Sequence, residues 1–365
     1  MVALAAAAGW AQAVPEVPGW RGVATPHLWL YVVDGTPGAR DASAVAAALD
    51  PLVARLSEAL GRPARVVYPL YPSVDAFRAD WWRFATPPAA DAVHGWGAVY
   101  RGDPADLSVH LLARSLAAAA LGDAIPLLRW GVAEALADRA VGADPHAHVA
   151  ALRAAGQPLP AVARILSPVE FGHALPWSYP VAVSFVADLI DRYGARRTAQ
   201  FARAVGYRYV DLPEIFRDAF GTSLDDAVAA WEERLRRAPA PAVDPHAYAL
   251  AARLVYGVGL ARPPAAVMLE PAGADVVVAA AKAAAALRRL DVPAAAALAE
   301  AAHRTQAEAR ARQALRRTVA RGLPAAVAAV PVALALLWLV WPAVRSRLAD
   351  RRAAPPAARA GRSAR

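Results

Sequence analysis

The sequence predicts an α+β protein: a small N-terminal mixed sheet with helices, a mostly helical subdomain, a helical stem and one C-terminal transmembrane helix. Three observations lead to this fold class. Short apolar runs with strand character lie before residue 101, and helical patterns dominate from Pro104 onward. Near the C-terminus, a segment of 22 residues contains no charged side chain.

Two buried strands separated by a helix are predicted first, after a linker that contains Pro15 and Pro18. The run LWLYVV at 28–33 and the run ARVVYPL at 64–70 are typical of buried strands. The alanine-rich stretch Ala42–Leu60 between them predicts a helix, and the glycine that follows directly marks its end.

A further helix and a short strand complete the predicted N-terminal part. The stretch Ser73–Arg83 has a helical pattern, and Ser73 is a suitable capping residue. The run GWGAVY at Gly95–Tyr100 predicts a short strand. Its glycines indicate a sheet edge or a close approach of two backbones.

The chain from residue 104 to 237 predicts helices separated by glycine and proline. Residues 142–176 are rich in both, which predicts irregular chain with short helices. The sequence APAPAVDP at 238–245 predicts a boundary between a main domain at 25–237 and a satellite of two or three helices at 246–320. The predicted helices of the main domain are Ala105–Leu121, Pro126–Ala140, Tyr179–Tyr193, 195–205, 211–220 and Ser223–Arg237.

The positive charge of the chain is concentrated at its C-terminal end. The formal net charge is +9, and residues 304–365 carry thirteen arginines against two acidic residues. The rest of the chain is therefore slightly acidic, and no nucleic acid partner is predicted. Cysteine is absent, which excludes disulfides, thiolate metal sites and a cysteine nucleophile.

The segment Leu323–Val344 predicts a single membrane-spanning helix. Its 22 residues extend about 33 Å as a helix, enough for a hydrocarbon core of about 30 Å. Trp338 and Trp341 lie where aromatic side chains favour the headgroup boundary. A buried core helix is the alternative, but arginines flank both ends, and residues 345–365 are predicted to form a basic disordered tail.

Residues 1–13 resemble a secretory signal peptide. An apolar run ends in Ala11-Gln12-Ala13, a small-x-small cleavage pattern, although no positive charge precedes the run. An ordinary apolar N-terminus is the alternative. Arginine counts on the two sides of the membrane segment do not decide its orientation. The signal-like N-terminus leads us to expect the main domain outside the cytoplasm and the tail Arg345–Arg365 inside.

The segment VHLLARSL at Val109–Leu116 partly matches a zinc-binding motif. In HExxH, two histidines one helical turn apart face a metal ion, and the intervening glutamate accepts a proton from the metal-bound water. A glutamate from a following helix completes such a site and leaves one position open. Here His110 stands at the first histidine, Leu111 at the glutamate base and Arg114 at the second histidine.

Six stretches of the chain carry a family resemblance: VYPLYPSVDAFRAD (67–80), GWGAVY (95–100), VHLLARSL (109–116), PLLRWGVAEALADRA (126–140), VSFVADLIDRYG (183–194) and IFRDAFGTSLDDAVAAWEERL (215–235). Their order resembles the peptidase MA-like domain of the gluzincin metallopeptidases, the thermolysin-like HExxH zinc peptidases. That family shows an edge strand, HExxH on a helix, a W-x-x-E-G-x-A-type helix and a closing segment. The likeness covers about residues 25–237.

The resemblance implies that His110 matches the first zinc ligand and Glu134 the third. Arg114 in place of the second histidine cannot ligate zinc, and Leu111 cannot act as a base. No zinc, no other cofactor and no catalytic residue are therefore expected. We predict instead an Arg114–Glu134 ion pair at the family's metal position, with His110 hydrogen-bonded nearby, because a buried glutamate needs a compensating charge. The alternative is that His110 packs a core helix while Arg114 faces solvent.

Two further candidate sites follow from the resemblance. Tyr179 lies in the region where gluzincins supply a tyrosine to the oxyanion, with core packing as the alternative. The edge strand, through Gly95, Trp96, Gly97 and Ala98, is expected to receive an extended peptide by strand addition.

Outside the resemblance, His146 and His148 have a spacing that suits metal binding and lie near Asp144. Two solvated loop histidines are the preferred interpretation of this pair.

The sequence as a whole favours a membrane-anchored, catalytically inactive gluzincin homologue that binds a peptide or protein partner. A working hydrolase with a non-standard site is one alternative, and a purely structural membrane protein is the other. Bound zinc with chelator-sensitive cleavage would identify the hydrolase, and peptide binding separates the preferred interpretation from a structural protein.

Overall fold

The computed structural model describes residues 14–62, 64–86, 92–174, 176–208, 210–239, 241–256 and 273–316. Helices predominate, and one small mixed sheet lies near the N-terminus, as the predicted α+β class requires. Within this described part of the chain, no helix has the length and apolar character to cross a bilayer. The predicted span Leu323–Val344, the signal-like residues 1–13 and the tail 345–365 lie outside the described residues.

The two predicted buried strands form the centre of the sheet. Strand β2 (Leu28–Val32) pairs in parallel with β3 (Arg65–Tyr71), and β1 (Arg21–Ala24) is antiparallel to β2. On the other side of β3, both β4 (Ala92–His94) and β5 (Ala98–Val99) pair in parallel with it. Strands β2 and β3 are buried along their whole length, which explains their nearly continuous apolar sequence.

The sheet separates two hydrophobic clusters. Leu28 and Leu30 of β2 pack against the helices. The alternate residues Trp29 and Tyr31 belong to a mostly aromatic cluster on the opposite face. Because successive side chains of a strand point to opposite faces, this one strand contributes to both clusters.

The first helices begin at residues whose side chains cap them. Helix α1 (Pro37–Leu60) begins earlier than predicted, because Thr36 caps it and Pro37 suits the first turn. Ser73 caps α2 (Val74–Asp80), as predicted. Helix α3 (Val109–Leu121) begins later than predicted, because Ser108 caps it after a short 3₁₀ turn.

The remaining helices follow the predicted order. Helix α4 coincides with the predicted stretch, and short helices occupy the proline- and glycine-rich region 142–176. They are α4 (Pro126–Ala140), α5 (Ala147–Ala154), α6 (Val162–Ile165), α7 (Pro168–His173), α8 (Ser178–Tyr193), α9 (Ala195–Val205), α10 (Leu212–Phe220), α11 (Leu224–Arg237), α12 (Pro245–Val255) and α13 (Gly273–Arg288), followed by helical residues 292–316.

Helix α4 is the centre of the helical layer, with α3 and α8 packed along it. At Gly131 of α4, a Cβ atom would lie 2.5 Å from Val186 Cγ2 and 2.9 Å from the Ala182 carbonyl oxygen. Only a glycine therefore permits the observed approach of α8 to α4. This approach places the side chains that follow Gly131 deep in the interior.

The predicted boundary at 238–245 does not set off a satellite. Residues up to Ala307 belong to one compact unit, and a second unit begins at Glu308. Helix α12 packs on α5 and α13, and α13 also contacts α2. The physical reason is that α12 has an apolar face, with Tyr248 and Val255 fully buried, and other helices of the same unit cover this face.

Candidate functional site

Helices α3 and α4 bring the zinc-motif positions together. His110 and Arg114 lie one turn apart on α3, and Glu134 lies near the middle of α4, which packs along α3. The Glu134 side chain is fully buried, whereas the side chains of His110 and Arg114 keep 12% and 8% of their exposure. The carboxylate is therefore removed from water and depends on its neighbours for compensation.

The predicted ion pair between Arg114 and Glu134 is confirmed. Arg114 Nε donates a hydrogen bond to Glu134 Oε1. His110 Nδ1 lies 2.7 Å from Glu134 Oε2, also within hydrogen-bond distance. The alternative in which Arg114 faces solvent is wrong, because the interface between α3 and α4 buries this side chain.

Tyr179, the candidate oxyanion residue, contacts the same group of side chains. It comes from the first turn of α8, and its hydroxyl accepts a hydrogen bond from Arg114 Nη2. The guanidinium carbon of Arg114 also lies 5.0 Å from the ring centroid of Trp130 and 5.6 Å from that of Tyr179, within cation–π distance. Burial raises the pKa of Tyr179 well above its ordinary value, although Arg114 opposes this shift. Tyr179 is therefore a neutral partner that holds Arg114.

A second arginine, which the sequence did not lead us to expect here, reaches the site from α13. Arg288 Nη2 lies 2.6 Å from Glu134 Oε2, and its Nη1 lies 2.5 Å from Asp138 Oδ1. Only 3% of the Arg288 side chain is exposed. We call His110, Arg114, Glu134, Asp138, Tyr179 and Arg288 the ion cluster.

Sequence reasoning missed Asp138 and Arg288 for different reasons. Arg288 is distant in sequence and was assigned to the satellite. Asp138 gave a usable signal, since Glu134 and Asp138 are four residues apart and share one face of α4. Two buried carboxylates on one helix face need two cations, and Arg114 supplies only one of them.

The charges of the ion cluster are balanced. Burial by itself raises the pKa of Glu134, but Arg114, Arg288 and His110 together hold that pKa well below its ordinary value. Burial by itself lowers the pKa of Arg288, but Asp138 and Glu134 outweigh burial and hold that pKa well above its ordinary value. Glu134 and Arg288 therefore stay ionised over the whole physiological pH range.

The residues of the ion cluster do not fit a zinc ion. A zinc ligand must present a lone pair to the metal, but both Glu134 oxygens lie against guanidinium groups and His110 Nδ1 is hydrogen-bonded to Glu134. Arg114 adds a fixed positive charge at the position of the second histidine. In the described part of the chain, no group of three or more His, Asp or Glu side chains is arranged to hold a metal ion.

The predicted strand at 95–100 is wrong in its first half. Strand β4 ends at His94, and only Ala98–Val99 pair again with β3. Trp96 and Gly97 between them adopt left-handed conformations, with φ of 61° and 68°. The candidate peptide-binding residues Gly95, Trp96, Gly97 and Ala98 therefore do not form a continuous edge for strand addition.

Pro69 of β3 explains this interruption. The carbonyls of Val67 and Tyr71 accept hydrogen bonds from Gly95 and Tyr100. By strand alternation Pro69 faces the same side, but a proline has no N–H to donate. The chain bends around this position so closely that a Cβ at Gly97 would lie 2.1 Å from the Pro69 carbonyl oxygen.

A cavity of about 160 Å³ adjoins the ion cluster. Its walls come from segment 96–99, the first turn of α3 and helix α13. His110 and Arg288 of the ion cluster line it, and so does Leu111, at the position of the family's base. The first turn of α3 therefore contributes to both regions, since Leu111 lines the cavity while His110 lines it and also contacts Glu134 of the ion cluster.

The interpretation of His146 and His148 as solvated loop histidines is wrong for His148. This residue lies on α5 and is 2% exposed, because α12 packs over α5. Its Nδ1 lies 2.5 Å from the hydroxyl of Tyr248 on α12, whereas His146 Nδ1 lies 2.9 Å from Ser184 Oγ. The two imidazoles serve different contacts and do not converge.

No protein-family model, no curated protein and no solved structure matches this chain. The resemblance to gluzincin peptidases therefore stays a prediction that rests on the six stretches of sequence.

Proposed function

We propose that this chain is a catalytically inactive homologue of the gluzincin zinc peptidases that binds a peptide or protein partner at a membrane. The observation that carries the proposal is the ion cluster: Arg114 and Arg288 contact the two oxygens of Glu134, where the family would place a metal. Two guanidinium groups supply the charge that a divalent cation would bring. Unlike a metal, they offer no coordination position for water or substrate.

Catalysis by the same residues without a metal also lacks support. Peptide hydrolysis needs a group that accepts a proton from the attacking water, and Leu111 has none. Glu134 is held charged, but it is fully buried and surrounded by cations, so it is removed from substrate. Neutral Tyr179 binds Arg114.

A binding role is supported by the cavity beside the ion cluster. Its lining includes His110 and Leu111, which stand at the positions of a zinc ligand and of the glutamate base in the family's motif, together with segment 96–99. A cavity whose walls are mainly apolar and include a few polar groups is typical of a ligand site. The interrupted strand makes this cavity a better candidate than the sheet edge.

Inactivity is tested on the full chain purified in detergent. Bound zinc is measured by elemental analysis, and casein cleavage is measured with and without a chelator. We expect far less than one zinc per chain and no chelator-sensitive cleavage. One zinc per chain together with cleavage that the chelator abolishes would establish the hydrolase alternative.

Binding is tested with an immobilised peptide library and a matched pair of variants. Ala281→Trp fills the cavity, whereas Ala48→Trp adds the same side chain at an exposed position of α1. A substitution at Gly97 is unsuitable, because a side chain there meets the β3 backbone. We expect peptides that bind the wild-type chain and Ala48→Trp but lose binding to Ala281→Trp. If no peptide binds the wild-type chain, a structural role is favoured instead.

Membrane attachment through Leu323–Val344, with the main domain outside the cytoplasm, is part of the proposal. The absence of cysteine makes single-cysteine labelling with a membrane-impermeant maleimide a direct test. Tyr207→Cys, at a side chain with 58% exposure, is expected to react in intact cells, and Ser363→Cys only after permeabilisation. The opposite pattern would reverse the orientation, and extraction by carbonate without detergent would refute the membrane span.

A further inference from the structure

The lining of the cavity beside the ion cluster combines apolar and polar side chains. Phe77, Val99 and Val278 contribute to its apolar part, together with the aromatic Trp96. The polar part contains Asp106, His110, Lys282, Arg288 and Arg289. A ligand that matches this lining must itself carry both an apolar group and a charged group.

Among the described residues, the polar part of the lining contains one cation without a compensating anion. Lys282 Nζ lies 2.5 Å from Asp106 Oδ1, so these two charges compensate each other. Arg288 is compensated by Glu134 and Asp138. Arg289 is exposed, and no ion pair joins it to a described residue. Arg289 therefore favours a ligand anion that carries a single charge.

The first turn of α3 adds to this preference. Residues 108–111 line the cavity, and the amino end of a helix carries a partial positive charge. Arg289 and this turn line the same cavity, so a carboxylate bound there has donors for charge-assisted hydrogen bonds available from both.

The aromatic wall is held in an unusual conformation. Trp96 has a φ of 61°, which a bulky side chain rarely adopts and which is typical of positions kept for function. Its ring stacks on Trp81 at a centroid distance of 6.0 Å and lies 5.1 Å from the His94 ring. These two contacts hold the ring in place, and Trp96 is one of the residues that line the cavity.

We propose that this cavity binds an apolar carboxylate, that is, one aromatic or branched aliphatic group joined to a single carboxylate. The apolar group packs against Trp96, and the carboxylate pairs with Arg289. The volume of about 160 Å³ is close to that of an engineered cavity known to hold one benzene molecule, so the apolar group is limited to about one ring or one large side chain. Such a ligand is either a free small acid or the C-terminal residue of a peptide. The inference rests on the proposed binding function and names its ligand class.

The test measures binding to the full chain in detergent by calorimetry, with empty micelles subtracted. The probes are 3-phenylpropionate and its neutral analogue 3-phenylpropan-1-ol, and a short peptide ending in phenylalanine with its C-terminus free or amidated. We expect each carboxylate to bind at least about tenfold more tightly than its neutral analogue, the size of one charge-assisted hydrogen bond. Binding of the free acid alone identifies a small acid, and binding of the free-carboxyl peptide identifies a peptide C-terminus.

Two matched pairs of variants locate the contact. Arg289→Gln is expected to remove the tenfold preference, whereas Arg253→Gln, at an exposed position of α12, keeps it. Ala281→Trp is expected to abolish binding, and Ala48→Trp to leave it unchanged. The inference is overturned if acid and alcohol bind equally, if neither carboxylate binds, or if Arg289→Gln keeps the preference. In another outcome, library peptides lose binding to Ala281→Trp while showing no preference for a free carboxylate. That result would support the proposed binding function and would refute this ligand class.

Discussion

The ion cluster and the neighbouring cavity share the first turns of α3 but differ in how their charges are satisfied. In the ion cluster, each charged side chain is buried and compensated by an opposite charge. At the cavity, Arg289 is exposed and lacks an ion pair among the described residues. A buried, compensated cluster contributes to structure, whereas an exposed, uncompensated charge next to an apolar wall can recognise a ligand. The comparison indicates that the motif positions Arg114 and Glu134 are part of the buried core, while a cavity lies beside them.

The largest expected effect is the loss of Arg288 from the ion cluster. Arg288→Ala leaves Asp138 and one oxygen of Glu134 without a cation in a buried environment. We expect the free energy of unfolding to fall by about 3–5 kcal/mol, as for other broken buried ion pairs. Denaturant unfolding of the full chain in detergent measures this change. Arg289→Ala, next in sequence but exposed, is expected to change it by less than about 0.5 kcal/mol. Equal effects of the two substitutions would contradict the division into a buried cluster and an exposed cavity.

Substitutions that complete the HExxH motif test whether Arg288 prevents zinc binding in the ion cluster. The double variant Leu111→Glu/Arg114→His supplies the HExxH residues, but Arg288 still occupies the Glu134 oxygen. Adding Arg288→Met frees both carboxylates, and a divalent cation then compensates them. We expect the triple variant to bind zinc at least about 100-fold more tightly than the double variant, a difference of about 2.7 kcal/mol.

Competition with a metal-chelating dye measures both affinities, and the wild-type chain serves as the control. Equal zinc affinity in the double and triple variants would show that Arg288 does not block the site. No zinc binding by the triple variant would show that the three ligand positions do not converge.

The cavity wall and the ion cluster are expected to lose their contributions to the free energy of unfolding at different pH values. Burial lowers the pKa of His94, which contacts Trp96 of the cavity wall, to about 4. Neither of its ring nitrogens has a hydrogen-bond partner among the described residues. The unfolded chain takes up this proton near pH 6.5, so stability is full above that pH and is lost as the pH falls towards 4. The loss amounts to about 2–3 kcal/mol.

His94→Phe is expected to reduce the decrease between pH 6.5 and 4 without abolishing it, as measured by denaturant unfolding at several pH values, because burial also lowers the pKa of His148 to about 4. The ion cluster responds at lower pH, because the folded pKa of Glu134 is depressed. Its contribution is full above the unfolded value of about 4.3 and is lost only below it. If the free energy of unfolding of His94→Phe falls on acidification as much as that of the wild type, groups other than His94 cause the decrease.

Local sequence signals predicted much of the helical part of the fold. Helix α4 begins at Pro126, where a proline suits the first turn, and its predicted bounds match the structure. The strands at Leu28–Val32 and Arg65–Tyr71 were predicted because they are buried on both faces and so are apolar throughout. The Arg114–Glu134 pair was predicted because the family resemblance implies that these two positions converge and because their charges are complementary.

The errors occur where a distant segment decides the local structure. The strand at 95–100 is interrupted because Pro69 in the neighbouring strand offers no N–H. His148 is buried because α12 covers it, and no local pattern around His148 contains that information. Arg288 contributes to the site because α13 packs on α12 and α2 within the first unit and does not form a separate satellite.

The sequence by itself determined most of the helices, the central strands and the absence of a complete HExxH motif at 110–114, because these depend on residue spacing along single elements. Leu111 and Arg114 exclude a base and a ligand in any arrangement of the chain. Only the tertiary structure decided which cation completes the ion cluster, where the sheet edge breaks and which residues surround the cavity. These features depend on contacts between segments far apart in the chain, and burial and charge compensation at such contacts follow from packing.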